Sequence, residues 1–460
     1  MRCEQNAIAM TQDSFPRVGR PLLLGLTGGL LFVYSLPHVI ALRYLLLLAA
    51  FLMSAKASWG VLRSGNRYCA LTIALATLAV LQLWMLVVVI GFAENAVASI
   101  GEWKGQWLTA MMALSTGIGT AAVICRMQTL NARSVCALTI AVPVTALIIL
   151  HDAVVLGDML KQGSLLTQHA GITDHKANIS FAFALLEPIL VADMLSRLVH
   201  RRGLLPFPSW VGLLILALSV FALLTAGARN GLITIFFAFL LGGAAMLPQL
   251  KAVYSRRRLV VSSIAGLTLI ITYAVVALKT DPRWQNFLET LPIAWDIEGD
   301  TRWLNGDGSD LPIAPSGKPV EASAYYRIAW AHEGARMLIE RPLGTEINRG
   351  TFNRLLLEKY GHTGASHTHN GWLDMGLNVG FPGLILWAGF LLLLARMGWR
   401  MHREHADPLG FALFLLVATF AFRALLDTTF REHPLAQFML VAGLLAGTLT
   451  KIQRGESVRA

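Results

Sequence analysis

Apolar runs of about 20 residues recur along almost the whole chain, and an α-helix of that length crosses the hydrocarbon core of a membrane. Of the 460 residues, 55% are hydrophobic and only 14% are charged, whereas soluble domains carry about 25% charged residues. So few charges cannot cover a water-facing surface of this size, which excludes an ordinary soluble enzyme and a disordered chain. A transmembrane β-barrel would instead show alternating segments of about ten residues. The sequence therefore predicts an all-α integral membrane protein.

The apolar runs predict twelve membrane-spanning helices. The predicted spans are 21–39, 40–57, 69–92, 107–125, 136–156, 179–198, 210–226, 230–246, 260–278, 381–395, 408–426 and 434–449. The chain then divides into spans 1–9 over residues 1–278, a long loop domain with short helices over 279–380, and spans 10–12 with a tail over 381–460.

The distribution of Lys and Arg orients these spans, because positive residues favour the cytoplasmic side. With the N-terminus in the cytoplasm, 21 of the 38 Lys and Arg residues fall on that side and seven in the short connections opposite. Both termini are therefore predicted to be cytoplasmic. The net charge of +11 follows largely from this bias, so it requires no nucleic-acid partner. All four cysteines then lie near the reducing cytoplasm, and we expect no disulfide.

The long loop carries helix signals of its own. Apolar residues at 3–4 spacing predict a helix over 325–340, which Pro342 stops. A second helix is predicted over 351–360, with Thr351 as its N-cap and Gly361 as its stop. A third is expected to begin near Asn370. The stretch 281–320 is rich in Pro, Gly, Asp and Asn and is predicted to be irregular.

A cluster of polar residues over 364–383 lies where the long loop re-enters the membrane. It contains His367 and His369. Histidine accepts a proton near neutral pH, and partial desolvation favours its neutral, basic form. Both histidines are therefore candidates for accepting a proton, and an interfacial turn with a structurally paired histidine is the alternative interpretation.

Two arginines have surroundings that suit an anionic ligand. Arg229 lies between two predicted spans with Gly227 and Gly231 on either side. A helix starting there presents backbone N–H groups and a dipole that favour an anion, and the guanidinium matches phosphate oxygens. Arg327 lies one turn into the predicted loop helix. Both are candidate catalytic residues, with a snorkelling arginine and a solvated helix face as the respective alternatives.

Five further residues are candidate substrate-binding groups. They are Asn370, Arg43, Lys176, His367 and Arg336. For Arg43 and Lys176, at outer helix ends, anchoring at the membrane surface is the alternative; for Arg336 it is a solvated helix face.

Arg423 and Asp427 end the eleventh predicted span. Intramembrane ionisable residues are functional or paired by default. These two are four residues apart on a helix, so they are expected to pair with each other.

Metal-ligand patterns are weak in this sequence. The acidic stretches 298–300 and 307–310 suit a hard cation, but Asp/Gly turn chemistry explains them equally well. HExxH and paired CxxC motifs do not occur. We therefore predict no metal site.

The motif H-N, nine residues, then GFPG, which begins at His369 and ends at 380–383, resembles that of bacterial O-antigen ligases. These enzymes belong to the O-antigen ligase/polymerase (Wzy-C) superfamily. Arg229 in TAGARNG resembles the family's arginine before the long loop, and Arg327 in YYRIAW, followed by ERPLG, is similar to its R-x2-W … P-x-G stretch. The layout fits from about 21 to 449, with Leu384 as a minor departure from the motif.

The resemblance implies a membrane glycosyltransferase of the GT-C type in the bacterial inner membrane, with its site facing the periplasm. Such an enzyme transfers a polysaccharide from an undecaprenyl diphosphate-linked donor to lipid A–core, among membrane lipids and without nucleotide sugar, metal or other cofactor. His369 is then the general base, and Arg229 and Arg327 stabilise the leaving diphosphate. Direct attack at the anomeric carbon inverts its configuration.

Two groups of alternatives stay open at this point. An O-antigen polymerase or a protein O-oligosaccharyltransferase of the same superfamily uses the same class of donor with another acceptor. A transporter of lipid-linked sugars would also suit twelve helices, but the two halves of the chain show neither a repeat nor paired broken helices.

Overall fold

The computed structural model describes residues 19–63, 70–127, 131–162, 171–173, 176–259, 261, 268, 286–430 and 433–457. Over these residues the chain is nearly all helix, and its one β-bridge joins Ile313 and Pro319. The helices are α1 (Gly19–Val33), α2 (Ile40–Arg63), α3 (Ala70–Gly91), α4 (Ala96–Trp103), α5 (Thr109–Ile124), α6 (Ala132–Gln162), α7 (Lys176–His200), α8 (Ser209–Thr225), α9 (Arg229–Val253), α10 (Phe287–Trp295), α11 (Ala322–Glu340), α12 (Thr351–Tyr360), α13 (Gly371–His405), α14 (Pro408–Leu426) and α15 (Pro434–Ser457).

Nine helical stretches in the described ranges are long and apolar enough to cross a membrane. They are α2, α3, the continuous stretch Ala96–Ile124 formed by α4, a π-helical turn and α5, and then α6, α7, α9, α13, α14 and α15. Two shorter apolar helices, α1 and α8, coincide with two further predicted spans. The predicted class of helical multi-pass membrane protein is confirmed. The predicted span 260–278 lies outside the described residues apart from two isolated positions, so the number twelve stays a prediction.

Close helix packing in the membrane region depends on small residues. A Cβ atom added at Gly117 of α5 would collide with the backbone of Leu440, and one at Gly443 of α15 would collide with that of Leu114. Glycines at these facing positions let the two backbones approach closely, and such approach is the usual source of helix association in lipid.

The tenth predicted span, 381–395, is one part of a longer helix. α13 extends over Gly371–His405 and breaks at Gly380, where φ is 65° and ψ is −174°. The break frees backbone groups for other contacts, so that Phe381 N–H donates to the Pro342 carbonyl at 2.8 Å. Trp84 of α3 donates to the Val379 carbonyl at 2.7 Å. The glycine-rich motif therefore joins the loop segment to two membrane helices.

Replacing Gly380 with Ala is expected to destabilise the protein. This combination of φ and ψ is essentially restricted to glycine and costs another residue about 1–3 kcal/mol, and the added Cβ would also collide with the backbone of Leu343. Thermal unfolding of the purified protein in detergent should show a clearly lower midpoint.

Gly389, in the same helix, offers a matched control. A Cβ atom there would meet only Thr77 Cγ2, at 3.7 Å, and Ala is better than Gly in a helix by about 0.5–1 kcal/mol. The Gly389→Ala midpoint should equal or exceed the wild-type value. Equal midpoints for the two variants would contradict the account of the break.

The segment 286–370 has a buried core separate from that of the membrane helices. Its centre is formed by Trp303, Tyr325 and Phe352, each at most 2% exposed. The predicted helix over 325–340 is confirmed but begins earlier, at Ala322, because the Glu321 side chain caps it by accepting from Ala324 N–H.

Two predictions for this segment need correction. Thr351 is not the N-cap of α12: that position is Gly350, and the Thr351 hydroxyl donates to the Asn348 carbonyl. The prediction of irregular structure over 281–320 is wrong in part, because α10 and a 3-10 turn at Arg302–Leu304 form there. Burial of Trp303, whose indole donates to the Ile297 carbonyl at 3.1 Å, stabilises this turn despite its polar surroundings. The predicted stop of α12 at Gly361, in the left-handed conformation, is confirmed.

Candidate active site

A cavity of about 730 Å³ lies between the membrane helices and the 286–370 segment. Its charged and titratable lining side chains are Arg229, Glu321, Arg327, His367, His369, Arg423 and Asp427. The three residues predicted to be catalytic, Arg229, Arg327 and His369, therefore meet in one place, together with His367.

First-turn residues of five helices also line this cavity. They are Ala177 and Asn178 of α7, Arg229 and Asn230 of α9, Phe287 of α10, Ser323 and Ala324 of α11, and Pro434 of α15. The first turn of a helix carries unpaired N–H groups and the positive end of the helix dipole. Several such ends around one cavity favour an anion, and phosphate is a common ligand of them. This convergence is invisible in the sequence because the helices are far apart along the chain.

Arg229 is the first residue of α9, as the flanking glycines predicted. Gly227, at a φ of 63°, turns the chain out of α8, and its N–H donates to the Leu224 carbonyl at 3.1 Å. Asn230 donates from Nδ2 to the Leu426 carbonyl at 3.2 Å, which fixes the start of α9 against the end of α14. Arg229 is thus held at a rigid helix end.

Arg327 lies early in α11, next to a stack of aromatic rings. Tyr326 and Trp330 stack with ring centroids 5.2 Å apart, and the Tyr326 hydroxyl accepts from Gly308 N–H at 3.0 Å. Burial raises the pKa of the Tyr326 phenol, so this hydroxyl stays neutral. Beside this stack, Ser323, Ala324 and Arg327 in the first turns of α11 line the cavity.

His369 has an unusual backbone conformation and aromatic neighbours. Its φ is 56°, a left-handed value that is uncommon outside glycine and clusters at functional sites. The imidazole stacks on Trp330 with centroids 5.6 Å apart and lies 4.0 Å from the His367 ring. Its side chain is 26% exposed, so it is partly desolvated and still reachable from the cavity.

Asp427 is the acidic group beside His369. Its Oδ1 lies 4.0 Å from His369 Nδ1. Two contacts bring the elements together: Gly371 N–H donates to the Asp427 carbonyl at 3.2 Å, and the Trp372 indole donates to the Ala421 carbonyl at 2.9 Å. At this distance the contact is electrostatic, because it is too long for a direct hydrogen bond.

Buried polar contacts hold the backbone between the two histidines. Thr368 is fully buried, and its N–H donates to Asp374 Oδ1 at 2.9 Å. The Thr368 hydroxyl lies 2.8 Å from the same carboxylate oxygen and accepts from Asn370 N–H. The two imidazoles are therefore carried by a loop whose backbone is fixed by hydrogen bonds.

Arg423 does not make the predicted ion pair with Asp427 in the described part of the chain. It is 2% exposed, donates from Nη1 to the Ser180 carbonyl at 3.0 Å and lies over the Phe181 ring at 4.0 Å. Its only recorded hydrogen bond to Asp427 is between their backbones, with Asp427 N–H donating to the Arg423 carbonyl at 3.0 Å. The pairing prediction is corrected by the fold, which turns both side chains to the cavity and adds a third guanidinium there.

Of the other predicted substrate-binding residues, Asn370, Arg43 and Arg336 are not among the cavity-lining residues. Asn370 is the N-cap of α13, its Oδ1 accepting from Trp372 N–H and Leu373 N–H, and it is not part of the lining. Arg43 donates to the backbone carbonyls of Val33 and Leu36. Arg336 pairs with Glu298 at 2.9 Å. The Lys176 side chain lies outside the described residues.

Together, these helices define a multi-pass membrane protein in which arginines, helix starts and two histidines line one cavity. Residues 214–388 match the Wzy_C family, which is described as O-antigen ligase. Over these residues the chain is similar to the O-antigen ligase/Wzy-C superfamily, whose ligases and polymerases are membrane glycosyltransferase-like enzymes. The match includes Arg229, Arg327, His367 and His369, and confirms the resemblance seen in the sequence. A search of curated proteins finds no match.

Proposed function

We propose that this protein is an O-antigen ligase of the GT-C type. It transfers a polysaccharide from undecaprenyl diphosphate to a hydroxyl of lipid A–core at the periplasmic face of the bacterial inner membrane. The observation that carries the proposal is the shared cavity, which two histidines and three arginines line together. The family match supports a lipid-linked polysaccharide donor and a lipid acceptor in general terms.

The arginines bind the donor's diphosphate. Negative charge grows on this leaving group as the glycosidic bond breaks, and fixed cations that face it stabilise the transition state. Arg229 and Arg327 contact its oxygens, and the converging helix ends add backbone donors. Arg423, which donates to the Ser180 carbonyl and lies over the Phe181 ring, adds a third positive charge.

His369 removes the proton from the acceptor hydroxyl. The hydroxyl oxygen forms a bond to the anomeric carbon while the bond from that carbon to the diphosphate oxygen breaks. The proton passes to the imidazole, and the electron pair leaves with the lipid diphosphate. Because attack and departure occur on opposite faces, the configuration inverts. Asp427 stabilises the imidazolium that forms, since its carboxylate lies 4.0 Å from Nδ1.

The cavity dimensions fit only the reacting end of the substrates. A volume of about 730 Å³ is in the range of small-ligand sites. It admits the diphosphate and the adjoining sugars, so the polysaccharide must extend out of the site and the polyprenyl tail must lie along the membrane helices.

The decisive experiment combines purified protein with lipid-linked O-antigen and rough lipopolysaccharide. A ligase attaches polymer to lipid A–core. A polymerase instead extends one lipid-linked repeat with another, and a protein O-oligosaccharyltransferase requires a protein acceptor. In cells, loss of a ligase leaves polymer on its lipid carrier, loss of a polymerase leaves core with a single repeat, and loss of a transporter traps donor on the cytoplasmic leaflet. Either of the last two results would overturn the proposal.

Chelation is expected to leave transfer unchanged. Arginines and helix ends take the place that a divalent ion holds in other transferases, so the reaction needs no Lewis acid. The rate measured with the purified protein should not fall after EDTA treatment. Complete loss of activity in EDTA, restored by Mg²⁺ or Mn²⁺, would contradict this assignment.

A further inference from the structure

Three side chains at one end of the cavity have the composition of a metal site. His367, His369 and Asp427 each offer one ligand atom, and these atoms all lie within 4.8 Å of one another. The sequence did not reveal this group, because Asp427 follows α14 and reaches the histidines only through the packing of α14 against the start of α13.

The distances are close to those that a bound ion requires. Bonds of about 2.0–2.2 Å in a tetrahedral zinc site place the ligand atoms roughly 3.3–3.6 Å apart. His369 Nδ1 and Asp427 Oδ1 are already 4.0 Å apart, and the widest separation in the group requires side-chain shifts of about 1 Å. The pinned Thr368 backbone holds both imidazoles on the same side, with ring centroids 4.0 Å apart.

The donor set selects the kind of metal. Two imidazoles and one carboxylate suit Zn²⁺ and similar transition ions, whereas Mg²⁺ and Ca²⁺ prefer sites made of oxygen alone. Ser366 Oγ lies 2.6 Å from His367 Nδ1, and a hydrogen bond of this kind orients metal-binding imidazoles. Three protein ligands leave one coordination position open to the cavity. The neighbouring Arg229, Arg327 and Arg423 repel a cation, so binding is reversible and weaker than in structural zinc sites.

We propose that His367, His369 and Asp427 form an inhibitory transition-metal site of the zinc class. A neutral imidazole has one nitrogen lone pair. Once that pair is donated to a metal, the other nitrogen carries a proton, so whichever nitrogen of His369 binds the ion, the ring cannot act as a base. The inhibitory half of this proposal rests on the proposed function, whereas metal binding itself does not.

The test uses full-length protein, purified through a tag without histidines and stripped of metal. Co²⁺ binding, followed by visible absorption, and Zn²⁺ binding, followed by calorimetry, should each show one site. Zn²⁺ should inhibit transfer, and EDTA should restore the metal-free rate. His367→Ala should lower the metal affinity more than about tenfold. Zn²⁺ should then inhibit this variant less, when its rate is compared with its own metal-free rate. Asp427→Asn is a second variant that should lose affinity.

His362→Ala is the matched control. His362 lies in the same segment, exposed, with Nδ1 3.3 Å from the Tyr360 carbonyl and not among the cavity residues. Its substitution should change neither the metal affinity nor the inhibition. Equal affinity in His367→Ala, Asp427→Asn and His362→Ala would overturn the metal site, as would the absence of Co²⁺ and Zn²⁺ binding by the wild-type protein. If the wild-type protein binds one metal ion and His367→Ala abolishes that binding, the metal site is supported. If the same wild-type protein transfers no sugar without metal, the proposed function is rejected while the site remains.

Discussion

Replacing His369 with Ala is expected to lower the rate of polysaccharide transfer by about 10²–10⁴-fold, the usual contribution of a positioned general base. The acceptor hydroxyl would keep its proton at the moment of attack, so kcat falls while donor binding persists. Transfer from lipid-linked donor to rough lipopolysaccharide, followed by gel mobility of the product, measures the rate. Thermal unfolding should be little changed, because the His369 side chain is 26% exposed and its main contacts are ring stacking.

His362→Ala provides the control for the loss of an imidazole from the 286–370 segment, and should transfer at the wild-type rate. The base assignment is wrong if purified His369→Ala retains that rate. A further check is Asp427→Asn, which keeps the side-chain size but removes the negative charge beside the imidazole. Its kcat should fall less than that of His369→Ala.

Replacing Arg229 with Ala is expected to reduce kcat by about 10²–10³-fold, the range seen when one fixed donor to a developing charge is removed. The diphosphate would lose a guanidinium at the start of α9 as it departs. Arg229→Lys should recover part of the rate, because a lysine restores the charge but not the planar two-point contact with phosphate oxygens. Steady-state kinetics with varied donor concentration separate the loss in kcat from any change in KM.

Arg341→Ala is the matched control for this experiment. Arg341 lies in the 286–370 segment and pairs with Glu358 at 2.9 Å, with both side chains largely in solvent, and such surface pairs contribute only about 0–1 kcal/mol to stability. Its rate should equal that of the wild type. A wild-type kcat in a correctly folded Arg229→Ala protein would remove this residue from the mechanism.

The residues that local rules govern were predicted well. The helix over 325–340 and the glycine stop at 361 depend on apolar spacing and on one left-handed residue, both of which act within a few residues of chain. Thr351 was misassigned because Gly350 and Asn348 offered the backbone an alternative start, and sequence patterns locate helix ends only to within a few residues.

The residues that depend on distant neighbours were predicted poorly. Asn370 has a donor and acceptor set that suits a sugar, but the start of α13 uses its Oδ1 as a cap. Arg423 and Asp427 have the spacing of a helical pair, and that rule holds only when no other partner competes. Here the Arg423 guanidinium donates to the Ser180 carbonyl and lies over the Phe181 ring of α7. The Asp427 carboxylate instead lies beside His369.

By itself, the sequence determined that the protein spans a membrane and where most of its helices lie. It also singled out Arg229, Arg327 and His369 as candidate site residues. The length of hydrophobic runs, the positions of glycines and the chemistry of side chains are local properties, so they can be read from the sequence alone. Only the tertiary structure decided that these three share one cavity, that five helix starts surround it, and that Asp427 stands beside the imidazole. Those features arise from packing between helices far apart in the chain, and no spacing rule encodes which helices will meet.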